Sequence, residues 1–242
     1  MKLFVSFVLF YSIFSCGLAS ELPVDLQRCS LKDLTCLKAA VQDALPKLKD
    51  GIPELGVPSL DPLKIAKMSI GSGNIIQLVQ NYENFELIGL STVTLNELSF
   101  DLDKGKLFLG ITAPLIVLKA TYTVKGKILV LDVYGHGNCT FSLENETGSF
   151  SMDLETYTKN DQMYIKGTNP QFEFDTERCV FNFENLFDGN KLLGDNINQV
   201  LNDNWREIFN ELRGAYGAVI GKALGHLTNK LFETTSVNDM FI

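Results

Sequence analysis

Apolar residues recur every three or four positions between residues 197 and 232, a spacing that predicts one long amphipathic helix near the end of the chain. At about 1.5 Å per residue this helix would be roughly 50 Å long, well beyond the usual three or four turns. Asp195 or Asn196 is placed to cap its first turn. Its apolar stripe must be covered along the whole length by another part of the chain.

Between residues 65 and 183 the pattern changes to an alternation of apolar and polar positions, which predicts β-strands. The clearest runs cover residues 95–102, 107–111, 129–133 and 150–154. Turn-forming sequences lie at residues 103–105, 125–127, 146–148 and 159–161. Strands joined by such short turns form an antiparallel sheet, and only this sheet is large enough to cover the long helix.

A shorter helix is predicted over residues 36–48, ahead of the strands. Leu37, Val41 and Leu45 fall on one side of it, and Pro46 should end or bend it. We expect these three residues to face inward and the helix to close one end of the interior.

These elements predict an α+β fold in which an antiparallel β-sheet wraps a long C-terminal α-helix. Nothing between residues 20 and 242 resembles a linker, so we expect a single domain over that range. An apolar helix surrounded by strands suits an elongated lipophilic ligand, and this favours a carrier over an enzyme.

Residues 1–19 have the features of a secretory signal peptide. Lys2 precedes an apolar run over residues 3–14, and Gly17 and Ala19 are the small residues expected before a cleavage site. A run of about 12 apolar residues is too short for the roughly 20 that a bilayer requires, which disfavours a membrane anchor. We expect the mature chain to be secreted and extracellular.

Four cysteines follow the signal peptide, and an even number favours two disulfide bonds in an oxidising compartment. Cys29 and Cys36 are seven residues apart with turn-forming residues between them, so a local bond is the simplest pairing. By elimination Cys139 would pair with Cys179, and two buried free thiols are the alternative.

Asn145 begins an Asn-Glu-Thr sequence in a predicted turn next to Gly148, and we expect it to be N-glycosylated. Asn138 fits the same acceptor pattern. Because its neighbour Cys139 is expected to lie in a strand and to be bonded, we expect Asn138 to stay unmodified.

The net charge of −8 becomes −9 without the signal peptide, because residues 1–19 contain Lys2 and no acidic residue. Such an acidic balance argues against nucleic acid and anionic membranes as partners. It favours a soluble, freely diffusing protein, which we expect to be a monomer without membrane insertion.

The sequence lacks motifs for catalysis, metal binding or phosphate binding. His136 and His226 lie in no zinc-binding pattern, and no Gly-x-Ser-x-Gly sequence surrounds a nucleophile. Residues 101–105 resemble the start of a calcium loop, but Thr112 stands where Glu is needed, so a hairpin is the better interpretation. We therefore expect neither an enzyme nor a cofactor.

Gly214, Gly217, Gly221 and Gly225 form one ridge along the long helix. Each should cost about 1 kcal/mol of helix stability relative to alanine, so the ridge needs a reason. Either a strand or a ligand approaches the helix backbone closely there, or the helix is kinked or loosely formed.

Several segments carry a shared family pattern. They are the Cys29-x6-Cys36 spacing, residues 51–65 (GIPELGVPSLDPLKI), residues 120–131 (ATYTVKGKILVL), Gly135-His136-Gly137, residues 186–189 (LFDG) and residues 201–205 (LNDNW). Together they resemble the insect takeout and juvenile-hormone-binding protein family over essentially the whole mature chain. The takeout branch is the closer one. The hormone-binding branch places one member of a second cysteine pair in the long helix, and this helix has none.

The resemblance implies a highly curved antiparallel sheet rolled around the helix, an elongated super-roll with an internal hydrophobic tunnel. It also implies a small hydrophobic ligand, namely a terpenoid such as juvenile hormone, a fatty acid, a quinone or a carotenoid. The ligand would be carried in haemolymph or in a sensory tissue. The missing helix cysteine makes juvenile hormone itself a less expected ligand.

Apolar and aromatic residues of the predicted elements are candidates for lining this tunnel. They are Leu37, Val41, Leu45, Phe85, Leu98, Phe100, Leu109, Ile111, Tyr122, Leu131, Val133, Tyr134, Trp205 and Phe209. The hydroxyls of Tyr122 and Tyr134 are candidate donors to a ligand oxygen, with a backbone partner as the alternative. Without a committed buried Lys or Arg, such an interior favours neutral ligands over anions.

The main alternative function is a secreted signalling or interaction protein. It would affect feeding, circadian or sensory behaviour through a cell-surface receptor, without obligatory ligand transport. A lipocalin-like barrel is disfavoured, because Trp205 lies in the C-terminal helix and not in an N-terminal Gly-x-Trp strand.

Overall fold

The computed structural model describes residues 26–71 and 73–242, so the predicted signal peptide lies outside the described part of the chain. A seven-stranded antiparallel sheet curls around a long C-terminal helix, which confirms the predicted α+β fold. In chain order the elements are α1 (Leu34–Lys47), β1 (Leu63–Ile70), β2 (Ile76–Ile88), β3 (Thr94–Asp101), β4 (Lys106–Ile128), β5 (Leu131–Lys159), β6 (Gln162–Asp175), β7 (Arg178–Phe183), α2 (Lys191–Asp203), α3 (Trp205–Thr234) and α4 (Val237–Met240).

Strands β4 and β5, of 23 and 29 residues, form one long hairpin that is the spine of the sheet. The first part of β4 pairs with β3 and its second part with β2, which in turn pairs with β1. In the same way the first part of β5 pairs with β7 and its second part with β6. The sheet is therefore long enough to follow α3 along its length.

The inward face of the spine changes in the middle without a change in pairing register, and we call this position the bend. Pro114 and Leu115 on β4 both face outward, and so do Glu144 and Asn145 on β5, so the inward face moves by one residue on each strand. Asn145 adopts a φ of 49° at this bend. The turn predicted at residues 146–148 is wrong, because those residues continue β5.

The other predicted turns are partly correct. The chain reverses between β3 and β4 at residues 103–105 and between β5 and β6 at Asn160 and Asp161, which both have positive φ. The turn predicted at residues 125–127 is wrong, because the reversal lies at residues 129–130. Gly126 lies inside β4, where a Cβ atom would sit 2.1 Å from the carbonyl oxygen of Gln77 on β2. That glycine permits close strand pairing instead of a turn.

The predicted single C-terminal helix is divided in two. It breaks at Asn204, whose φ of −108° and ψ of 23° are not helical and whose side-chain amide donates to the carbonyl of Val200. The first piece, α2, starts at Lys191, and the second, α3, has 30 residues, about 45 Å at 1.5 Å per residue. Within the described residues, no helix combines the length and the apolar character needed to cross a membrane.

Helix α2 covers the free edge of β7 with two asparagines. Asn202 accepts a hydrogen bond from the backbone N–H of Phe181 at 2.9 Å and donates to its carbonyl at 2.8 Å. Asn198 forms the same pair of bonds with Phe183, both at 2.9 Å. Because each carboxamide satisfies both backbone groups of one residue, it replaces a further strand at this edge.

Helix α3 lies directly against β6. A Cβ atom on Gly217 would lie 2.4 Å from the carbonyl oxygen of Phe172, and one on Gly221 would lie 2.9 Å from the backbone nitrogen of the same residue. On Gly225 it would lie 2.7 Å from Pro170 Cβ. Gly214 meets nothing within 4 Å. Three glycines of the ridge therefore permit close approach of a strand, one of the two predicted explanations.

The cysteines follow one of the two predicted pairings. Cys29 and Cys36 form a disulfide beside α1, as predicted. Cys139 and Cys179 are free and buried, so their predicted bond is wrong. In the β5–β7 pairing Cys139 lies opposite Phe183, and Cys179 lies opposite Leu143. The four-residue offset separates them by about 13 Å along the strands, well beyond the roughly 7 Å limit between Cα atoms of a disulfide.

The glycine ridge predicts opposite effects of one substitution at two positions of α3. Gly217→Ala should lower the free energy of unfolding by about 2 kcal/mol, because its Cβ would push the helix away from the backbone of Phe172. Gly214→Ala should raise it by about 0.5–1 kcal/mol, because alanine favours the helix and this position is open. Urea unfolding followed by circular dichroism measures both, and two changes of the same sign would contradict the explanation by close approach.

Candidate functional site

The space between α3 and the sheet contains two adjoining apolar cavities of about 30 and 20 Å³. Phe141 and Phe181 on the sheet and Leu212 and Tyr216 on α3 contribute to both. The first cavity extends towards Phe174, Cys179 and Phe209, and the second towards Ile76, Leu78 and Ile128. Together they form one row through the interior, and we define this row as the candidate ligand-binding site.

Aromatic rings form the middle of this site. Tyr82, Phe85, Phe141 and Tyr216 lie with ring centroids 6.1–6.3 Å apart, mostly tilted or edge to face. Such arrangements match the preferred geometry of aromatic pairs. The rings join β2, β5 and α3, so the centre of the site depends on the position of the helix.

A chain of hydrogen bonds crosses the interior between β2 and α3. The hydroxyl of Tyr216 donates to that of Tyr82 at 2.8 Å, and the hydroxyl of Tyr82 donates to Gln80 Oε1 at 2.8 Å. All three residues are buried, and burial raises the pKa values of Tyr82 and Tyr216 well above their usual range. These three hydrogen-bonded side chains are therefore a neutral polar group inside an apolar site.

Glu146 is a second buried polar group, on β5 just after the bend. Its side chain is 3% exposed, and its Oε2 atom has no hydrogen-bond partner among the residues that the structure describes. Desolvation raises the pKa of this carboxyl to about 7. A substantial fraction is therefore protonated and neutral near neutral pH.

The predicted lining residues fall into three groups. Phe209 lines the first cavity, and Phe85, Tyr122 and Val133 are buried on the inner face of the sheet. The hydroxyl of Tyr122 donates to the carbonyl of Glu184, so it already has the backbone partner that was the predicted alternative. Trp205 is half-buried, with the guanidinium of Arg206 4.2 Å from its ring centre.

A second group lies near α1, outside the linings of both cavities among the described residues. Helix α1 packs on β3, where Gln42 bonds the carbonyl of Val93 and the backbone N–H of Leu95. Leu37 is buried there, and the half-buried members are Val41, Leu45, Leu98, Phe100, Leu109 and Ile111. Phe100 packs on Phe232 and Phe241. The structure thus does not bring these residues together with Phe209, and the idea that α1 closes a tunnel stays a prediction.

Two predicted lining residues are corrected by the structure, because they are exposed. Leu131 is 41% exposed at the β4–β5 reversal, and Tyr134 is 45% exposed with its ring against Phe187. Val133 lies between them and is buried. Side chains alternate between the faces of a strand, so Tyr134 points away from the interior that Val133 faces. Leu131 shares the face of Val133 but is the first residue of β5, so the reversal beside it leaves it exposed.

Gln80, Tyr82, Tyr216 and Glu146 were not among the predicted residues. Gln80 and Tyr82 continue an inward alternation that begins at Ile76 and Leu78, so period two could have identified them. Glu146 faces inward only because the bend moves the inward face by one residue. No periodic pattern signals that shift.

The remaining predicted sites are placed as follows. Asn145 is exposed, and its side-chain amide donates to Glu177 at 2.7 Å, while its glycosylation stays a prediction. Asn138 is also exposed.

Within residues 26–71 and 73–242, no group of three His, Cys, Asp or Glu side chains is arranged to hold a metal ion. Burial raises the pKa values of the Cys139 and Cys179 thiols to about 12, so both are neutral.

Comparison with known proteins places this fold in a recognised group. A family model described as haemolymph juvenile hormone binding protein matches residues 6–242. The circadian clock-controlled protein daywake of Drosophila melanogaster is 28% identical over 251 aligned positions, which cover 99% of this chain and 96% of that protein. The juvenile hormone-binding protein of Manduca sexta is 29% identical over 90 residues, 37% of this chain and 39% of that protein.

The crystal structure of Takeout 1 from Epiphyas postvittana has the same fold. It superimposes with a TM-score of 0.82 over 89% of this chain and 99% of that chain, at 23% sequence identity.

The buried carboxyl of Glu146 predicts a pH-dependent stability. Its pKa is about 7 in the folded protein and 4.5 in the reference state, so between these values the folded state retains a proton that the unfolded state releases. Stability should therefore fall as the pH rises from about 4.5 to about 7, by about 3 kcal/mol at roughly 1.4 kcal/mol per pKa unit.

Glu146→Gln should remove this fall, because the amide does not ionise. Urea unfolding at pH 5 and pH 8 measures the difference between the variant and the natural protein. Glu144→Gln, an exposed position two residues earlier on the same strand, is the matched control and should keep the natural pH dependence. If Glu146→Gln and the natural protein lose equal stability between the two pH values, Glu146 is not the buried group responsible.

Proposed function

The chain belongs to the haemolymph juvenile hormone binding protein family, and we propose that it is a secreted carrier that holds a neutral lipophilic molecule between α3 and the sheet. As a member of this family it is a binding protein for lipophilic ligands and not an enzyme. Secretion is supported by the predicted signal peptide and by the Cys29–Cys36 disulfide, a bond typical of oxidising compartments.

The observation that carries the proposal is the apolar row of cavities against α3. Its lining is aliphatic and aromatic except for Gln80, Tyr216, the thiol of Cys179 and Arg213. Arg213 is half exposed and lies 3.6 Å from Asp175, so its charge is directed to a surface partner. An interior with these groups suits an ester, ketone, quinone or hydrocarbon better than an ionised acid, because a carboxylate there would be buried without a committed cation.

Binding requires the interior to expand. The two cavities hold about 30 and 20 Å³, whereas ligand pockets in proteins usually hold about 300–1,000 Å³. The side of α3 that contacts β6 is fixed by the glycine ridge and by Asn229, which bonds both backbone groups of Gly167 at 2.7 and 2.8 Å. We therefore place the expansion on the other side of the helix, around Leu212 and Tyr216.

A second candidate function is an interaction protein that acts through a receptor. The observation that favours it is the apolar β4–β5 tip, where Val130 is 85% exposed between Leu129 and Leu131. Mass spectrometry of lipid extracted from protein purified from its natural source separates the two functions. A stoichiometric lipid supports the carrier, and a protein without lipid supports the interaction function.

The carrier proposal predicts that affinity follows ligand length. In competition binding with linear methyl esters, each added methylene should increase affinity about fourfold until the site is filled, since a buried methylene contributes roughly 0.8 kcal/mol. Methyl esters should also bind more tightly than the ionised acids of equal length. Affinity that is independent of length, or greater for the acids, would contradict a neutral lipophilic site.

A pair of variants locates this binding. Leu212→Phe adds volume where both cavities meet, so it should shorten the longest ester that still gains affinity. Ala218→Phe makes the same kind of addition on the exposed side of α3 and should leave the length series unchanged. An equal effect of the two variants would place the ligand elsewhere.

A further inference from the structure

The side chain of Gln80 leaves a hydrogen-bond donor unused in the candidate site. The residue is 3% exposed and lines the second cavity. Its Oε1 atom accepts from Tyr82 at 2.8 Å and lies 3.4 Å from the hydroxyl of Tyr216, whereas its Nε2 atom has no partner among the described residues. Buried polar atoms in folded proteins are almost always hydrogen-bonded, so an unused amide in an apolar interior calls for an explanation.

The two tyrosine hydroxyls determine which way this carboxamide is turned. With Oε1 towards Tyr82, the proton of Tyr216 reaches Tyr82 and the proton of Tyr82 reaches Gln80. In the reverse orientation Nε2 would reach the hydroxyls of Tyr82 and Tyr216 and could donate to both, but the Oε1 atom and one hydroxyl proton would lack partners. The present orientation leaves only Nε2 without a partner, whereas the reverse leaves both Oε1 and a hydroxyl without one, so the present orientation is the better assignment.

The second cavity suits a ligand oxygen better than a water molecule. A buried water usually makes about three hydrogen bonds, and Gln80 and Tyr216 are the only polar side chains among the described residues that line this cavity. A carbonyl oxygen needs only to accept, and its attached carbon chain would contact the surrounding Ile, Leu and Phe side chains. No Lys or Arg lines the cavity within the described residues, so a carboxylate would have no counter-charge.

We propose that Gln80 Nε2 is the polar recognition point of the site and donates a hydrogen bond to the neutral carbonyl oxygen of an ester, ketone or quinone. Tyr82 and Tyr216 hold the carboxamide in place from the other side. Phe141, Phe181 and Leu212 line both cavities. The rest of the ligand extends past these three residues into the first cavity. This assignment rests on the proposed carrier function and specifies how that carrier orients its ligand.

The test compares two ligands of equal length in three proteins. Undecan-2-one carries a carbonyl and undecane does not, and both are measured by displacement of the neutral fluorescent probe N-phenyl-1-naphthylamine. The proteins are the natural chain, Gln80→Met and Gln77→Met. Methionine has a similar length and no N–H donor, and Gln77 lies three residues earlier on the outer face of the same strand.

Gln80→Met should reduce the affinity for the ketone relative to the alkane about tenfold, the usual effect of one hydrogen bond to a buried donor. Gln77→Met should leave that ratio unchanged. A ratio that is equal in the natural protein and in Gln80→Met would overturn the role of Gln80 while leaving the carrier function intact. If the natural protein binds neither compound nor the probe, the carrier function fails and this assignment fails with it.

A second measurement needs no variant. The infrared carbonyl stretch of ¹³C-labelled undecan-2-one bound to the natural protein should lie at lower frequency than in hexane, because a hydrogen bond weakens the C=O bond. An unshifted band would overturn the proposal even if Gln80→Met fails to fold.

Discussion

The contact between the backbones of α3 and β6 sets the position of the rest of the interior. Because Gly217 and Gly221 bring the helix against Phe172 without a side chain between them, α3 lies off-centre within the curled sheet. The opposite side of the helix, with Leu212 and Tyr216, faces β2, β4, β5 and β7 across a wider gap. Large side chains that meet across such a gap do not fill it completely, and both cavities lie there.

The sequence predicted the helices and strands better than the turns and pairings that connect them. Periods of two and 3.6 report the burial of whole faces, so the sheet and the C-terminal helix were recognised. Two turns were misplaced because glycine and asparagine, which readily adopt positive φ, occur within strands as well as in turns. Gly126 and Asn145 have positive φ, which suits a tight turn, but here they permit close strand pairing and a bend within a strand. The bond between Cys139 and Cys179 was also predicted wrongly. Whether two cysteines on paired strands meet depends on the strand register, which distant parts of the chain determine.

The candidate site was predicted less completely, for a different physical reason. Alternation shows which residues face inward, and Phe85, Val133 and Phe209 do so. It does not show where along a spine of 23 and 29 residues the packing is loose, because that depends on how far α3 lies from each strand. Residues near α1, such as Phe100, therefore looked equivalent to residues beside the cavities. Gln80 was missed because it is polar and the interior was expected to be apolar, although its position in the alternation of β2 indicates that it faces inward.

Gln80, Tyr82, Tyr216 and Glu146 have one property in common, which is that each can be buried without a net charge. Tyr82 and Tyr216 stay protonated, Gln80 is neutral, and the raised pKa of Glu146 brings its protonated form into the neutral range. Each unused hydrogen-bonding atom among them lowers stability, and the close packing of α3 on β6 on the other side of the helix offsets that loss. A side of α3 that stabilises the fold thus allows a polar and loosely packed side, and such a division suits the proposed carrier, which would open its interior to a neutral ligand and then close around it.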